Sequence, residues 1–132
     1  MAEADGDHVG QGDLAGRRGE KLLGRDKIIG LTTHSLKQAG NAVRAGADYI
    51  GVGPIFATRI KEDVCEPVGF FYLDWVVKNI SLPFVAIGGI KLHNVDQVLR
   101  AGATRICVIS EIVGSEDVTA TSQQFIRKIV ER

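Results

Sequence analysis

The chain has 132 residues, 45% of them hydrophobic, enough to bury the core of roughly one domain. Sixteen Lys and Arg balance sixteen Asp and Glu, which excludes a global field that would hold nucleic acid or an anionic membrane, so any anion site must be local. No apolar stretch is long enough to span a bilayer and the start carries no leader pattern, so the expectation is a cytoplasmic protein.

Taken in chain order, the first strand is expected around 8–10. The segment ahead of it, Met1 to Asp7, reads as the turn before an internal strand, with no leading element of its own. Asp13 follows as a candidate helix N-cap or first-turn acid, and a helix is expected at 15–23. A second strand at 27–32 leads into a helix at 35–45 with Leu36, Ala39 and Val43 on one stripe.

The third strand, 48–53, carries the most information. Tyr49, Ile50, Val52 and Ile55 call for burial, and the run ends in a Gly/Pro turn followed by Thr58, Arg59 and Lys61. A hydroxyl and two cations just past a strand end suit a phosphate, although a lone loop lysine is ordinarily only solvated. A helix at 69–79 and a strand at 83–88 follow, the strand ending in Gly88-Gly89. A helix at 92–101 and a strand at 104–109 then lead to Ser110 and a last helix at 117–131.

The segment Arg44-Ala45-Gly46-Ala47-Asp48-Tyr49-Ile50 returns as Arg100-Ala101-Gly102-Ala103-Thr104-Arg105-Ile106. Each copy reads as an amphipathic helix, a Gly at its C′ position and a β-rich run. Near-continuous apolar strands alternating with helices indicate an α/β fold with a parallel sheet. Five strands could build an open doubly wound sheet. The loop chemistry instead favours a (β/α)8 barrel, in which the last two strand ends grip a phosphate through backbone N–H groups, here at Gly88, Gly89, Ile109 and Ser110. Taken alone, Gly-Gly could equally do no more than turn the chain. A whole barrel needs eight units and about 200 to 250 residues, so the expectation is a partial barrel of about five C-terminal βα units in one domain.

Cys107 falls inside a strand pattern and reads as a small core residue, whereas Cys65 lies in a loop without a metal-binding partner. His8, His34 and His93 form no recognisable metal triad, and each is expected to serve as a hydrogen-bonding side chain.

The chain resembles the C-terminal part of the thiamine-phosphate synthase family over nearly all of residues 3–130. The resemblance rests on Ala-Asp-Gly-Asp-His-Val-Gly-Gln-Gly-Asp at 4–13, Ile-Gly-Leu-Thr-Thr-His-Ser at 29–35 and Ala-Asp-Tyr-Ile-Gly-Val-Gly-Pro-Ile-Phe-Ala-Thr at 47–58. Lys61, Ala-Ile-Gly-Gly-Ile at 86–90 with Asn94, and Val-Ile-Ser at 108–110 complete it. It implies a barrel enzyme that joins hydroxymethylpyrimidine diphosphate to thiazole phosphate, releasing pyrophosphate with the help of Mg²⁺.

By position, the resemblance makes Asp13 a Mg²⁺ ligand, Thr32 a contact to the pyrimidine diphosphate and Lys61 the cation on the leaving diphosphate. It assigns thiazole phosphate to Thr58, Arg59, Ile60, Gly89, Ile109 and Ser110. Ile60 departs from the family, which usually carries threonine there, so one hydrogen bond worth roughly 0.5 to 1.5 kcal/mol is forgone. Related thiazole tautomerases place a histidine where this chain has Pro54, which favours the synthase branch. The family's Arg-Glu-Lys motif and its Asn-Asp pair, with the other Mg²⁺ ligand, are not in this sequence. The chain alone is therefore expected to be inactive, and to self-associate or pair with an N-terminal half. The alternative is a non-catalytic half-barrel that binds thiazole phosphate.

Overall fold

The computed structural model describes residues 4–14, 27–57 and 67–131. The helix expected at 15–23, the candidate residues Thr58, Arg59, Ile60 and Lys61, and Cys65 lie outside the described residues. The elements run β1 (Gly6–Val9), α1 (Gln11–Leu14), β2 (Ile28–Thr33), α2 (Leu36–Ala45), β3 (Tyr49–Val52) and α3 (Gly69–Asn79). They continue with β4 (Phe84–Ile87), α4 (Val95–Arg100), β5 (Ile106–Cys107), α5 (Ser110–Val113) and α6 (Val118–Val130).

The five strands pair in parallel in the order β1-β2-β3-β4-β5. This order separates the two architectures that the sequence left in competition. A doubly wound sheet reverses its strand order at a switch point and places helices on both faces. Here each strand lies beside the one before it, without reversal, as in a (β/α)8 barrel. The described residues form a partial (β/α)8 barrel of five strands.

Because side chains alternate along a strand, the register divides the sheet into two faces. Val9, Ile29, Leu31, Thr33, Ile50, Val52 and Ala86 share one face and all are buried. Helices cover it: Ala39 and Ala42 from α2, Tyr72, Leu73 and Val76 from α3, Val95, Val98 and Leu99 from α4, and Phe125 from α6 join the same core. The other face carries His8, Ile28, Thr32, Tyr49, Val85, Ile87 and Cys107, none of them fully buried. Tyr49 and Cys107 therefore depart from the expectation of core positions. The parity of the pleat puts them on the face opposite the helices.

The stripe expected on α2 also shifts. Leu36 and Val43 are exposed, and the contact line is Ala39–Ala42. Small side chains let the helix axis approach the sheet, while Ser35 starts the helix by accepting the N–H of Gln38 at 3.2 Å.

Both copies of the repeated segment end their helices in the same way. Gly46 and Gly102 have φ of 84° and 113°, and the next N–H reaches back to the first open carbonyl, Ala47 to Ala42 at 3.1 Å and Ala103 to Val98 at 3.3 Å. These are the bonds of a Schellman-type stop. Asp48 then sets the neighbouring strands: its N–H donates to the Ile29 carbonyl and its carboxylate accepts the Ile29 N–H, each at 2.8 Å. Thr104, its counterpart, is exposed.

Candidate functional site

In a parallel sheet every strand ends at the same edge. The described candidates lie in the closing residues of strands or just after them, so the topology gathers them on that edge. Asp13 belongs to α1, directly after β1, and so stands as a first-turn acid of that helix. Thr32 is in the last turn of β2. Its Oγ1 lies 2.7 Å from His8 Nε2, and His8 Nδ1 lies 3.0 Å from the Tyr49 hydroxyl. Gln11 adds a tie from α1, donating to the Thr32 carbonyl at 2.5 Å.

This Thr32–His8–Tyr49 chain depends on a missing side chain. A Cβ on Gly30 would stand 2.0 Å from Tyr49 Cζ, so only glycine lets the ring cross β2 to reach His8. Burial foremost, with the Asp7 carboxylate behind it, raises the Tyr49 pKa and keeps the phenol protonated. His34 is likewise held, its Nδ1 lying 2.6 Å from the Gly53 carbonyl. His93 is exposed and makes no hydrogen bond among the described residues, against the expectation of a bonding role for all three histidines.

The ends of β3, β4 and β5 converge. Ile55 and Phe56 donate to the carbonyls of Ile87 and Gly88 at 2.9 and 3.0 Å, which draws the chain after β3 onto the Gly88-Gly89 turn. Gly88 and Gly89 have φ of 108° and 65°, and a Cβ on Gly89 would meet the Ala57 carbonyl at 2.6 Å. The two glycines therefore do more than turn the chain. They admit Phe56 and Ala57 to close contact, so the described backbone reaches Gly89 one residue before Thr58.

On the other side, the turn is joined to α5. Asn94, 7% exposed, donates to the Gly89 carbonyl at 3.0 Å and accepts the Lys91 N–H at 2.8 Å. The Leu92 N–H donates to the Glu111 carboxylate at 2.8 Å, and Lys91 Nζ donates to Ser110 Oγ at 3.2 Å. Ile109 and Ser110, expected to end a strand, instead open α5, with Ile109 43% exposed.

Thus Gly89, Ile109 and Ser110 stand together at the β4 and β5 ends, and Thr32 stands with His8 at the β1 and β2 ends. Of Asp13, only the backbone position is described. Sequence reasoning missed the cross-links from Lys91 and Glu111 and the His8–Tyr49 contact. The one hint was position, since Lys91 lies two residues after Gly88-Gly89 and Glu111 directly after Ile109-Ser110. Among the described residues no group of three or more His, Cys, Asp or Glu could hold a metal, and no helix is long and apolar enough to cross a membrane.

Comparison with known proteins agrees with this geometry. The family model described as thiamine monophosphate synthase matches residues 1–112. The thiamine-phosphate synthase of Halalkalibacterium halodurans is 62% identical over 123 residues, covering 93% of this chain and 58% of that protein. That of Pelotomaculum thermopropionicum is 56% identical over 132 residues, covering all of this chain and 60% of its own length. Among solved structures, thiamine phosphate pyrophosphorylase from Pyrococcus furiosus superposes with a TM-score of 0.78 at 32% identity, over 97% of this chain and 60% of the other. The chain thus spans about 60% of the length of the curated relatives it matches. From its strand order, its paired strand ends and these matches, the chain belongs to the thiamine monophosphate synthase family.

Proposed function

We propose that this chain supplies the thiazole-phosphate side of a thiamine-phosphate synthase, the transferase that joins hydroxymethylpyrimidine diphosphate to thiazole phosphate. The observation that carries the reading is the convergence at the β3, β4 and β5 ends. There Gly89 lies against Ala57, and Lys91 and Leu92 reach the Ser110-Glu111 start of α5. In this reading Gly89, Ile109 and Ser110, with Thr58, Arg59 and Ile60, bind the phosphate of the thiazole. Thr32 orients the pyrimidine diphosphate from the β2 end.

Lys61 is the catalytic cation. It holds the diphosphate as negative charge grows on the departing oxygen, an interaction stronger in the transition state than in the ground state. Mg²⁺ is the implied cofactor, and a hard carboxylate following the β1 end suits an ion that bridges one or two carboxylates to substrate phosphates. Asp13 would be its ligand from this chain. When bound, the ion would neutralise charge on the leaving diphosphate.

The partner of this chain, in the same reading, is a set of βα units that pairs with the free sides of β1 and β5 and covers the face bearing His8, Ile28 and Tyr49. The isolated chain self-associates through these surfaces. The test combines the 132 residues with the first three βα units of a related synthase and assays thiamine phosphate. The chain alone is expected to be inactive, and the combination active. Asp13→Asn or Lys61→Ala in the combination should cost at least about 100-fold in turnover, as loss of a single charge-stabilising group does. Turnover by the chain alone, or inactivity of a correctly folded combination, would overturn the reading.

A further inference from the structure

Lys91 is the one cation whose side chain reaches a candidate phosphate residue among those described. Its backbone is fixed before its charge is considered: Asn94, itself nearly buried, accepts the Lys91 N–H at 2.8 Å and ties the same turn to Gly89. The side chain is half-buried and runs across to α5, where Nζ donates to Ser110 Oγ at 3.2 Å.

That bond has a direction. An ammonium group can only donate, so Ser110 accepts, and its own O–H is left to donate elsewhere. No acceptor for it occurs among the described residues. The ammonium has three N–H bonds and uses one on Ser110. Ser110 O–H and the remaining Lys91 N–H bonds thus form a set of donors, one of them charged, between the β4 end and the start of α5. The nearby acid, Glu111, accepts the Leu92 N–H at 2.8 Å, and no ion pair joins it to Lys91 among the described residues.

We propose that Lys91 is a phosphate-binding residue that recognises the dianionic monoester of the thiazole substrate jointly with Ser110. This rests on the reading of the β4 and β5 ends given above and adds to it a charge that the backbone donors lack. A charged donor makes a stronger hydrogen bond than a neutral one, so Lys91 makes recognition depend on the ester's charge and on salt.

The test titrates the 132-residue chain with thiazole phosphate and with the dephosphorylated thiazole alcohol, at low and high ionic strength. Lys91→Met should weaken phosphate-ester binding about tenfold, the scale of one hydrogen bond to a charged group. It should flatten the salt dependence and leave binding of the alcohol unchanged. Lys91→Arg should stay within about threefold of the parent, because the charge is kept. Circular dichroism confirms that each variant folds. If the parent prefers the phosphate ester and Lys91→Met binds it with the same affinity and salt dependence, the assignment of Lys91 fails while the site stands. If the parent does not distinguish ester from alcohol, the reading of the site fails, and this assignment with it.

Discussion

The two faces of the sheet are built from the same five strands and do different work. On the helix side, Leu31, Ile50, Val52 and Ala86 are at most 1% exposed, and even the polar Thr33 is sealed by bonds to the Gly51 carbonyl at 2.7 Å and the Tyr72 hydroxyl at 2.5 Å. On the opposite side, glycines alternate with polar groups, and His8, Thr32 and Tyr49 form a bonded chain that is still open to solvent. One face supplies the stability, and the other leaves polar groups available at the strand ends. Burial on the first face is what makes the sparseness of the second tolerable.

The largest expected effect lies on the helix side. Ile50→Ala empties a fully buried position and should cost about 2 to 5 kcal/mol in urea denaturation. Ile28→Ala, on the other face and 53% exposed, should cost less than about 1 kcal/mol. Equal losses would erase the division between the faces.

Thr33 and Thr32 are adjacent and point to opposite sides, so they sharpen the comparison. Thr33→Val leaves the Tyr72 hydroxyl without its partner in the core and should cost about 1 to 3 kcal/mol. Thr32→Val, where water can replace the lost bond, should cost no more than about 1 kcal/mol, and on the proposed function it should also weaken binding of pyrimidine diphosphate.

Tyr49 and Tyr72 both have raised pKa values, and burial is the first cause in each. A raised folded pKa means that the native state holds its proton longer than the unfolded chain does. Their contribution is therefore complete below the ordinary tyrosine pKa of about 10 and is lost as pH rises from there through the folded value. The melting temperature should decline above about pH 10. Tyr72→Phe should flatten that decline more than Tyr49→Phe, because Tyr72 is 2% exposed and Tyr49 is only half-buried.

A smaller effect than at Ile50 or Thr33 is expected at Gly30. Gly30→Ala pushes the Tyr49 ring off β2 and should cost about 0.5 to 1.5 kcal/mol, the value of the His8 hydrogen bond. A change in the Tyr49 ring resonances should accompany it. An unshifted ring would mean that the strand itself yields.

Much of this fold could be read from the sequence. The helices at 69–79 and 117–131 and the glycine stops at Gly46 and Gly102 follow from periodicity and from the left-handed backbone that glycine accepts. Near-continuous apolar runs do not show strand parity, so the expectation of core positions for Tyr49 and Cys107 fails. α5 was also missed, because four residues hold too little periodicity to separate a short helix from a strand end. At the site, motif spacing marked Gly89, Ile109 and Ser110. The contribution of Lys91 and Glu111 arises only when β4 and β5 lie side by side, a proximity no local pattern encodes.

Asp48 has a consequence for how the sheet assembles. By exchanging two bonds with Ile29, it ties β2 to β3 at one position, and sliding either strand by a residue would break both bonds. Such a slip would turn Ile50 to the solvent and bring Tyr49 under the helices. A single carboxylate thus guards the alignment on which the separation of the buried face from the polar one depends. The second copy of the repeat has no equivalent, because Thr104 stands in its place. Mispairing is therefore penalised directly between β2 and β3, the pair that brings Thr32 and Tyr49 to His8.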